Sequence, residues 1–310
     1  MKIIKDTTEF YIEEPTAVAI GKFDGFHCGH QKLLGKMQEQ KDKDKDKGLM
    51  TVVFTFAPSP AAYFNKEPIG ELTTIEEKRS IFEKAGIDYL IEYPFNEEIA
   101  NMEPEVFIKE VLVERIHAKC IVAGEDVSFG KSGAGNYQLL SEKAKDYLYD
   151  VVIVEKVQYE GREVSSTFVR EEVVKGNMEL VHQLLGIPYH VGGKIVHGKK
   201  LGRTLGMPTI NQIPRDTKLL PPKGVYYSYV MHGDRKLPAI TNIGVKPTVA
   251  DQLVMGVETF IYDFNEDVYG EDVEVYLLHF KRTEIRFDSV DALMKQMTED
   301  IEEGRKYHLI

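Results

Sequence analysis

The chain has 310 residues, enough for two buried cores at roughly 100–200 residues per domain, and its 43% hydrophobic and 29% charged content excludes wholesale disorder and fibrous repeats. Thirty-nine Lys and Arg against 50 Asp and Glu leave a net charge of −11, which works against broad adhesion to nucleic acid or anionic lipid while allowing a local phosphate pocket. The longest apolar runs, such as residues 49–56, fall far short of the roughly 20 residues a bilayer requires, so no membrane partner is expected.

The first 15 residues, MKIIKDTTEFYIEEP, place acids where a secretion signal needs an apolar core, and two cysteines, Cys28 and Cys120, are too few for a disulfide framework. Both features point to a reducing cytoplasm. From residue 16 an apolar strand, TAVAIG, is followed by a glycine-containing turn, the helical stretch QKLLGKMQEQ and a second strand, LMTVVFTF. The run KDKDKDK (41–47) has no apolar face and reads as a solvated helix end or loop. A helix at TIEEKRSIFEKAG, a strand at YLIEYPF, a helix at PEVFIKEVLVERI and strands at CIVAG and VVIVEKV continue the alternation. Such order predicts an α/β domain with a Rossmann-like parallel sheet and helices on both faces. The helical stretch SSTFVREEVVKGNMELVHQLLG ends at Gly186 before Ile187-Pro188, which sets the expected boundary between domains 1–186 and 187–310. Beyond it, short runs such as HVGGKIV, GVYYSYVMHG, KLPAITNIG, VETFIYDF and DVEVYLLHF predict an antiparallel β-barrel or sandwich. A single helix from Val290 packs against it.

In GKFDGFHCGHQKLL (21–34), His27 and His30 lie three apart at the junction of the first strand and the first helix. A helix start offers free N–H groups and a positive dipole end, and Gly25 and Gly29 allow close backbone approach, so the position suits a phosphate chain. Zinc would need further ligands, and no neighbouring Cys/His pair supplies them with convincing spacing. In the second half, GGKIVHGKKLGRTLGMPTINQ (192–212) carries five glycines interleaved with Lys194, Lys199, Lys200 and Arg203, ahead of Pro208-Thr209. It looks like a phosphate loop but has no Walker A spacing.

G-x-F-D-G-x-H-x-G-H-Q resembles the signature of bacterial bifunctional FAD synthetases, which combine riboflavin kinase with FMN adenylyltransferase. The resemblance spans about residues 16–303 and implies a nucleotidyltransferase-type α/β domain followed by a riboflavin kinase barrel. FTFAPSP (54–60) is similar to the family's flavin-side loop, which implies Phe54 and Pro58 at the flavin, and GEDVSFG (124–130) implies Asp126 and Phe129 beside them. Gly21, Phe23, Asp24 and Gly29 of the first loop would line ATP, with His27 and His30 at the transferring phosphate. VSSTFVR (164–170) would add Ser165, Ser166, Thr167 and Arg170, although Ser and Thr also serve as plain helix caps. Asp24 would hold either the turn or a histidine tautomer. P-T-I-N resembles the P-T-A-N motif of riboflavin kinases, so Thr209 and Asn211 become hard oxygen ligands for Mg²⁺ carried with ATP, with Gly193, Lys194, Gly198 and Gly206 along the nucleotide. PPKGVYY, TNIGVKPT, VETFIYDF with DVYG, and FKRTEIRF follow in family order, which implies Glu258 as general base and Arg282 at the flavin. The pattern is departed from at Lys22, Val127, Gly133 and Phe168. The chain is thus expected to convert riboflavin to FMN and FMN to FAD with ATP, as a monomer or weak homo-oligomer. The alternative is a riboflavin kinase whose first domain is degenerate.

Overall fold

Strands β1 (Lys2–Lys5), β2 (Thr16–Ile20), β3 (Met50–Ala57), β4 (Tyr89–Pro94), β5 (Ala118–Gly124) and β6 (Asp150–Val154) form one sheet in the order β1-β4-β3-β2-β5-β6. Every neighbouring pair in it is parallel. The computed structural model describes residues 1–43, 48–64, 70–198, 206–247 and 253–310; part of the KDKDKDK run, together with Lys199, Lys200 and Arg203, lies outside them. All five residues of TAVAI in β2 are buried, because helices cover both faces of a parallel sheet. Along β2 the side chains alternate between two cores: Val18 and Ile20 join Val52, Phe54, Phe107 and Ile121, whereas Ala17 and Ala19 face Phe23, Leu33, Met37 and Phe82. The layers are supplied by α1 (Cys28–Lys43), α2 (Pro60–Phe64), α3 (Ile75–Lys84), α4 (Glu97–Ala100), α5 (Pro104–Val106), which runs on as the π-helical Phe107–Arg115, and α6 (Tyr137–Tyr147). The N-terminus of α3 is closed by a capping box in which Thr74 and Glu77 satisfy each other's backbone N–H groups.

From β2 the chain fills one side of the sheet with β3 and β4, then crosses to the other side with β5 and β6. Such a reversal opens a crevice outside the carboxyl ends of the strands. The loops that follow β2 and β5, which carry the two motifs of the first half, leave the sheet at that point.

A small hairpin, β7 (Gln158–Tyr159) and β8 (Arg162–Glu163), leads to α7 (Ser166–Lys175) and α8 (Met178–Leu185). The helical stretch expected to run unbroken to Gly186 is cut at Gly176, whose φ of 78° no interior helix residue adopts. The chain divides into two units, Met1–Ser166 and Thr167–Ile310. The division falls ahead of the Gly186 boundary read from the sequence, for a packing reason: α8 buries Met178, Val181, Leu184 and Leu185, and the strands it packs on belong to the second sheet.

That second sheet contains β9 (Tyr189–Lys194), β10 (Ile210–Gln212), β11 (Gly224–His232), β12 (Arg235–Pro247), β13 (Leu253–Ile261) and β14 (Asp272–Thr283), in the antiparallel order β10-β13-β12-β11-β14-β9. A bridge between Val196 and Asn211 links the segment after β9 to β10, the far edge, and so curls the sheet toward closure. The terminal helix Val290–His308 seats on this unit: Tyr262 donates its hydroxyl to the Ile301 carbonyl at 2.9 Å, and a Cβ at Gly304 would lie 2.1 Å from the same hydroxyl oxygen.

Candidate active sites

The loop between β2 and α1 is held open by its own backbone. Gly25 sits at φ 85° with its N–H donated to Thr73 Oγ1 at 2.7 Å, and a Cβ there would stand 2.7 Å from Leu72 Cδ1. Asp24 Oδ1 accepts the Thr73 N–H at 3.0 Å, and Ser166 donates its hydroxyl to the Asp24 carbonyl at 2.7 Å. The Asp24 carboxylate thereby ties this loop to Thr73. Ser166 likewise ties the start of α7 to the loop. Gly21 and Gly29 give space to rings, since Cβ atoms there would stand 3.1 Å from the Phe23 and His27 rings respectively.

His27 and His30 are brought together, their rings stacked with centroids 3.8 Å apart. Both Nδ1 atoms are buried without a hydrogen-bond partner among the described residues. Burial pushes the His27 pKa down to about 4, opposed by the Asp126 charge, and burial drives His30 well below the usual range, helped by His27 and Lys78. Two neutral imidazoles therefore wait at the helix start. Each can donate one N–H to a phosphoryl oxygen without first losing a proton.

A stability consequence follows from the sign of this shift. Between pH 6.5 and about 4 the unfolded chain binds a proton at His27 that the folded chain does not, so stability is complete above the upper value and falls as pH drops through the window. Acid titration of unfolding should show His27 contributing about 3 kcal/mol of this loss, and His27→Asn should flatten the curve there. An unchanged curve would show that His27 is already charged in the folded state.

The other residues expected at the flavin are placed differently from one another. Pro58 is exposed just past the carboxyl end of β3, and Asp126 is exposed after β5, 3.9 Å from Lys156. Phe54, in contrast, is fully buried, its ring packed against Tyr93, Phe56 and Phe107. Phe129 is 3% exposed, pairs its backbone with Gly135 and packs its ring on Phe107. Strand β3 is covered on both faces, so Phe54 falls in core whichever way it points. Both rings belong to one hydrophobic core and do not present an open face. Arg170 lies half-buried on α7, with Ser165 half-buried and Thr167 exposed at its start.

In the second unit the P-T-I-N segment enters β10 at the edge of the barrel. Register pairs Asn211 with Glu258 on β13, and Thr209 donates its hydroxyl to Glu258 Oε1 at 2.7 Å. Lys246, which lies within the TNIGVKPT motif but is assigned no role by it, completes the group. Lys246 Nζ donates to Asn211 Oδ1 at 2.8 Å and to Glu258 Oε2. Burial lowers the Lys246 pKa, with Glu258 opposing the shift. Its signal was parity: Asn242, Gly244 and Lys246 alternate onto one face of β12, and Asn242 pairs with Glu258.

A cavity of about 410 Å³ adjoins this cluster, lined among others by Gly198, Thr209, Asn211, Thr259, Asp267 and Tyr269. Gly198 is required at the wall, because a Cβ there would be 2.7 Å from Asn211 Nδ2. Gly193 and Gly206 take φ of 159° and 75°. Two cations expected along the ligands are each paired with a carboxylate. Lys194 turns to Asp272 at 3.3 Å, and Arg282 is engaged by Asp300 of the terminal helix, with Nε 3.1 Å from Oδ2. Both cations are drawn to a nearby carboxylate that sequence spacing does not reveal.

Two family models match in tandem, FAD synthetase over residues 10–168 and riboflavin kinase over residues 185–308. The chain belongs to the bifunctional riboflavin kinase/FMN adenylyltransferase family. Proteins of that name from Listeria monocytogenes, 33% identical over 97% of this chain and 95% of the relative, and from Escherichia coli K12, 35% identical over 95% and 93%, match nearly end to end. A crystal structure from Streptococcus pneumoniae, titled a macrolide-efflux protein, superposes with a TM-score of 0.82 at 33% identity over 98% of both chains. Among the described residues here, no helix is long and apolar enough to cross a membrane. Of the four positions where this member of the riboflavin kinase/FMN adenylyltransferase family departs from the pattern, Phe168 is buried and Gly133 holds φ 67°, while Lys22 is exposed and Val127 half-buried.

Proposed function

We propose that the two activities of this family, riboflavin phosphorylation and FMN adenylylation, are carried by the two clusters described. The observation that carries the kinase assignment is the convergence of Thr209, Asn211 and Glu258 in one cluster, of which Thr209 and Asn211 also line a nucleotide-sized cavity. The 5′-hydroxyl of riboflavin attacks the γ-phosphorus of ATP, the bond to the β-bridging oxygen breaks, ADP leaves, and Glu258 takes the hydroxyl proton. Thr209 Oγ1 and Asn211 Oδ1 are hard oxygen donors, and a cation already lies against Asn211 in the form of Lys246, so the donor set fits Mg²⁺. The ion would neutralise phosphate charge as it builds.

In the first unit a phosphate oxygen of FMN attacks the α-phosphorus of ATP, and pyrophosphate leaves. His27 and His30 donate N–H groups to the oxygens where negative charge grows, and the start of α1 adds its free backbone N–H groups. Asp126 and Pro58, exposed at the carboxyl ends of their strands, are the side chains within this crevice assigned to the flavin. Phe54 and Phe129 support it from the core. A sequence with two cysteines, Cys28 and Cys120, accords with a cytoplasmic setting.

A kinase with a silent first domain is not favoured, since the FAD synthetase match covers residues 10–168 and the full-length relatives carry both names. Incubating the protein with ATP and Mg²⁺, and with riboflavin or FMN in separate reactions, should yield FMN then FAD in the first and FAD in the second. FMN as the sole product would return the first domain to a scaffold, and no product in either reaction would refute both assignments.

A further inference from the structure

The cluster around Glu258 is closed upon itself. Glu258 Oε1 accepts from Thr209, its Oε2 accepts from Lys246, and Asn211 Oδ1 accepts from the same ammonium. Every hard oxygen assigned to the metal or to proton transfer thus has a partner within the group. Lys246 is not opposite Glu258. Its register partner on β13 is Val254, four residues away, or about 13 Å along an extended strand. The Lys246 and Glu258 side chains reach toward each other along the sheet past Gly256, where a Cβ would stand 2.8 Å from Lys246 Cδ; Gly256 is paired with Gly244, over which lies Glu284, its Oε1 2.0 Å from where a Cβ would be. A solvated lysine gains little by giving up its freedom for one surface carboxylate. Here it reaches two acceptors that belong to the same proposed site.

We propose that Lys246 is the resting cation of the kinase site, a positioning residue that holds Asn211 and Glu258 aimed at one point and is displaced by the metal–nucleotide complex. The inference rests on the assignment of Thr209, Asn211 and Glu258 made above. An ammonium and a divalent ion cannot share the same oxygens, because like charges at contact distance repel strongly where water is partly excluded. Displacement frees Asn211 for the metal and Glu258 for the riboflavin hydroxyl together, and it leaves the ammonium beside the incoming phosphates as its next acceptors.

The test is Mn²⁺ binding to the full chain in the absence of nucleotide, followed by electron paramagnetic resonance of the free ion, with Asn211→Ala defining the manganese bound elsewhere. Lys246→Met and Lys246→Gln should each tighten the Asn211-dependent site by about tenfold or more, the expected gain when a competing unit charge is removed. Lys246→Arg, which keeps the charge, should remain near the parent. In turnover, Lys246→Met should lower the Mg²⁺ concentration that half-saturates FMN formation while lowering kcat, and leave FAD formation from FMN unaltered. A purely structural role would weaken manganese binding in both neutral variants, and weaker or unchanged binding there overturns the proposal. If Asn211→Ala changes manganese binding in neither the parent nor the Lys246→Met background, the site assignment itself is what has failed.

Discussion

Glu258→Ala lowers kcat for FMN formation by about 10²–10⁴, the range lost with a positioned general base, while FAD formation from supplied FMN is unchanged. The size of the effect follows from the geometry. Glu258 is the carboxylate that both Thr209 and Lys246 address, and it stands on β13 directly opposite Asn211. Removing it deprives the riboflavin hydroxyl of its proton acceptor and leaves Lys246 with Asn211 alone. Glu258→Gln, which keeps the shape and the hydrogen bond from Thr209, should be nearly as slow, because an amide oxygen does not take the proton. Rapid FMN formation by either variant would contradict the assignment.

His30→Ala has the opposite pattern. FAD formation should fall by about 10²–10³, the usual cost of losing one donor to a developing phosphoryl charge, and FMN formation should stay at the parent level. His30 also stacks on His27 and packs 5.2 Å from the Phe23 ring, so truncation removes packing along with the donor. His30→Asn keeps a side-chain N–H and part of the volume, and recovery of rate with this variant separates donation from packing. The pair of variants offers a stricter check. Mixed together, Glu258→Ala and His30→Ala should convert riboflavin to FAD, each supplying the step the other lacks, with FMN passing between them through solution. Failure of the mixture, with each variant active in its own half-reaction, would show that the two steps require one intact chain.

The parity of β2 and β13 explains why so much of this was readable in advance. In TAVAI, period-two alternation distributes side chains to two cores. In V-E-T-F, the same period turns Glu258 toward Asn211 and Thr259 toward the cavity. Where motif residues fall at the ends of predicted strands, the same alternation fixes which face of the strand each one takes. Phe54 and Phe129 show where that reasoning stops. An aromatic residue next to a ligand loop and one beneath it have the same local sequence, and burial from both sides is a property of the helices laid over the strand.

The sequence alone determined the α/β unit followed by an antiparallel one, the histidine pair at a helix start, and the Thr209, Asn211 and Glu258 set, because each depends on spacing within a few residues or on a resemblance carried by contiguous motifs. Tertiary structure alone decided that α8 packs on the second sheet, that Arg282 is held by Asp300, and that Lys246 lies over Gly256 to reach Glu258. The physical reason is common to all three. A charged or apolar group is stabilised by whichever partner the fold brings within reach, and strand pairing brings together residues whose separation along the chain carries no signal.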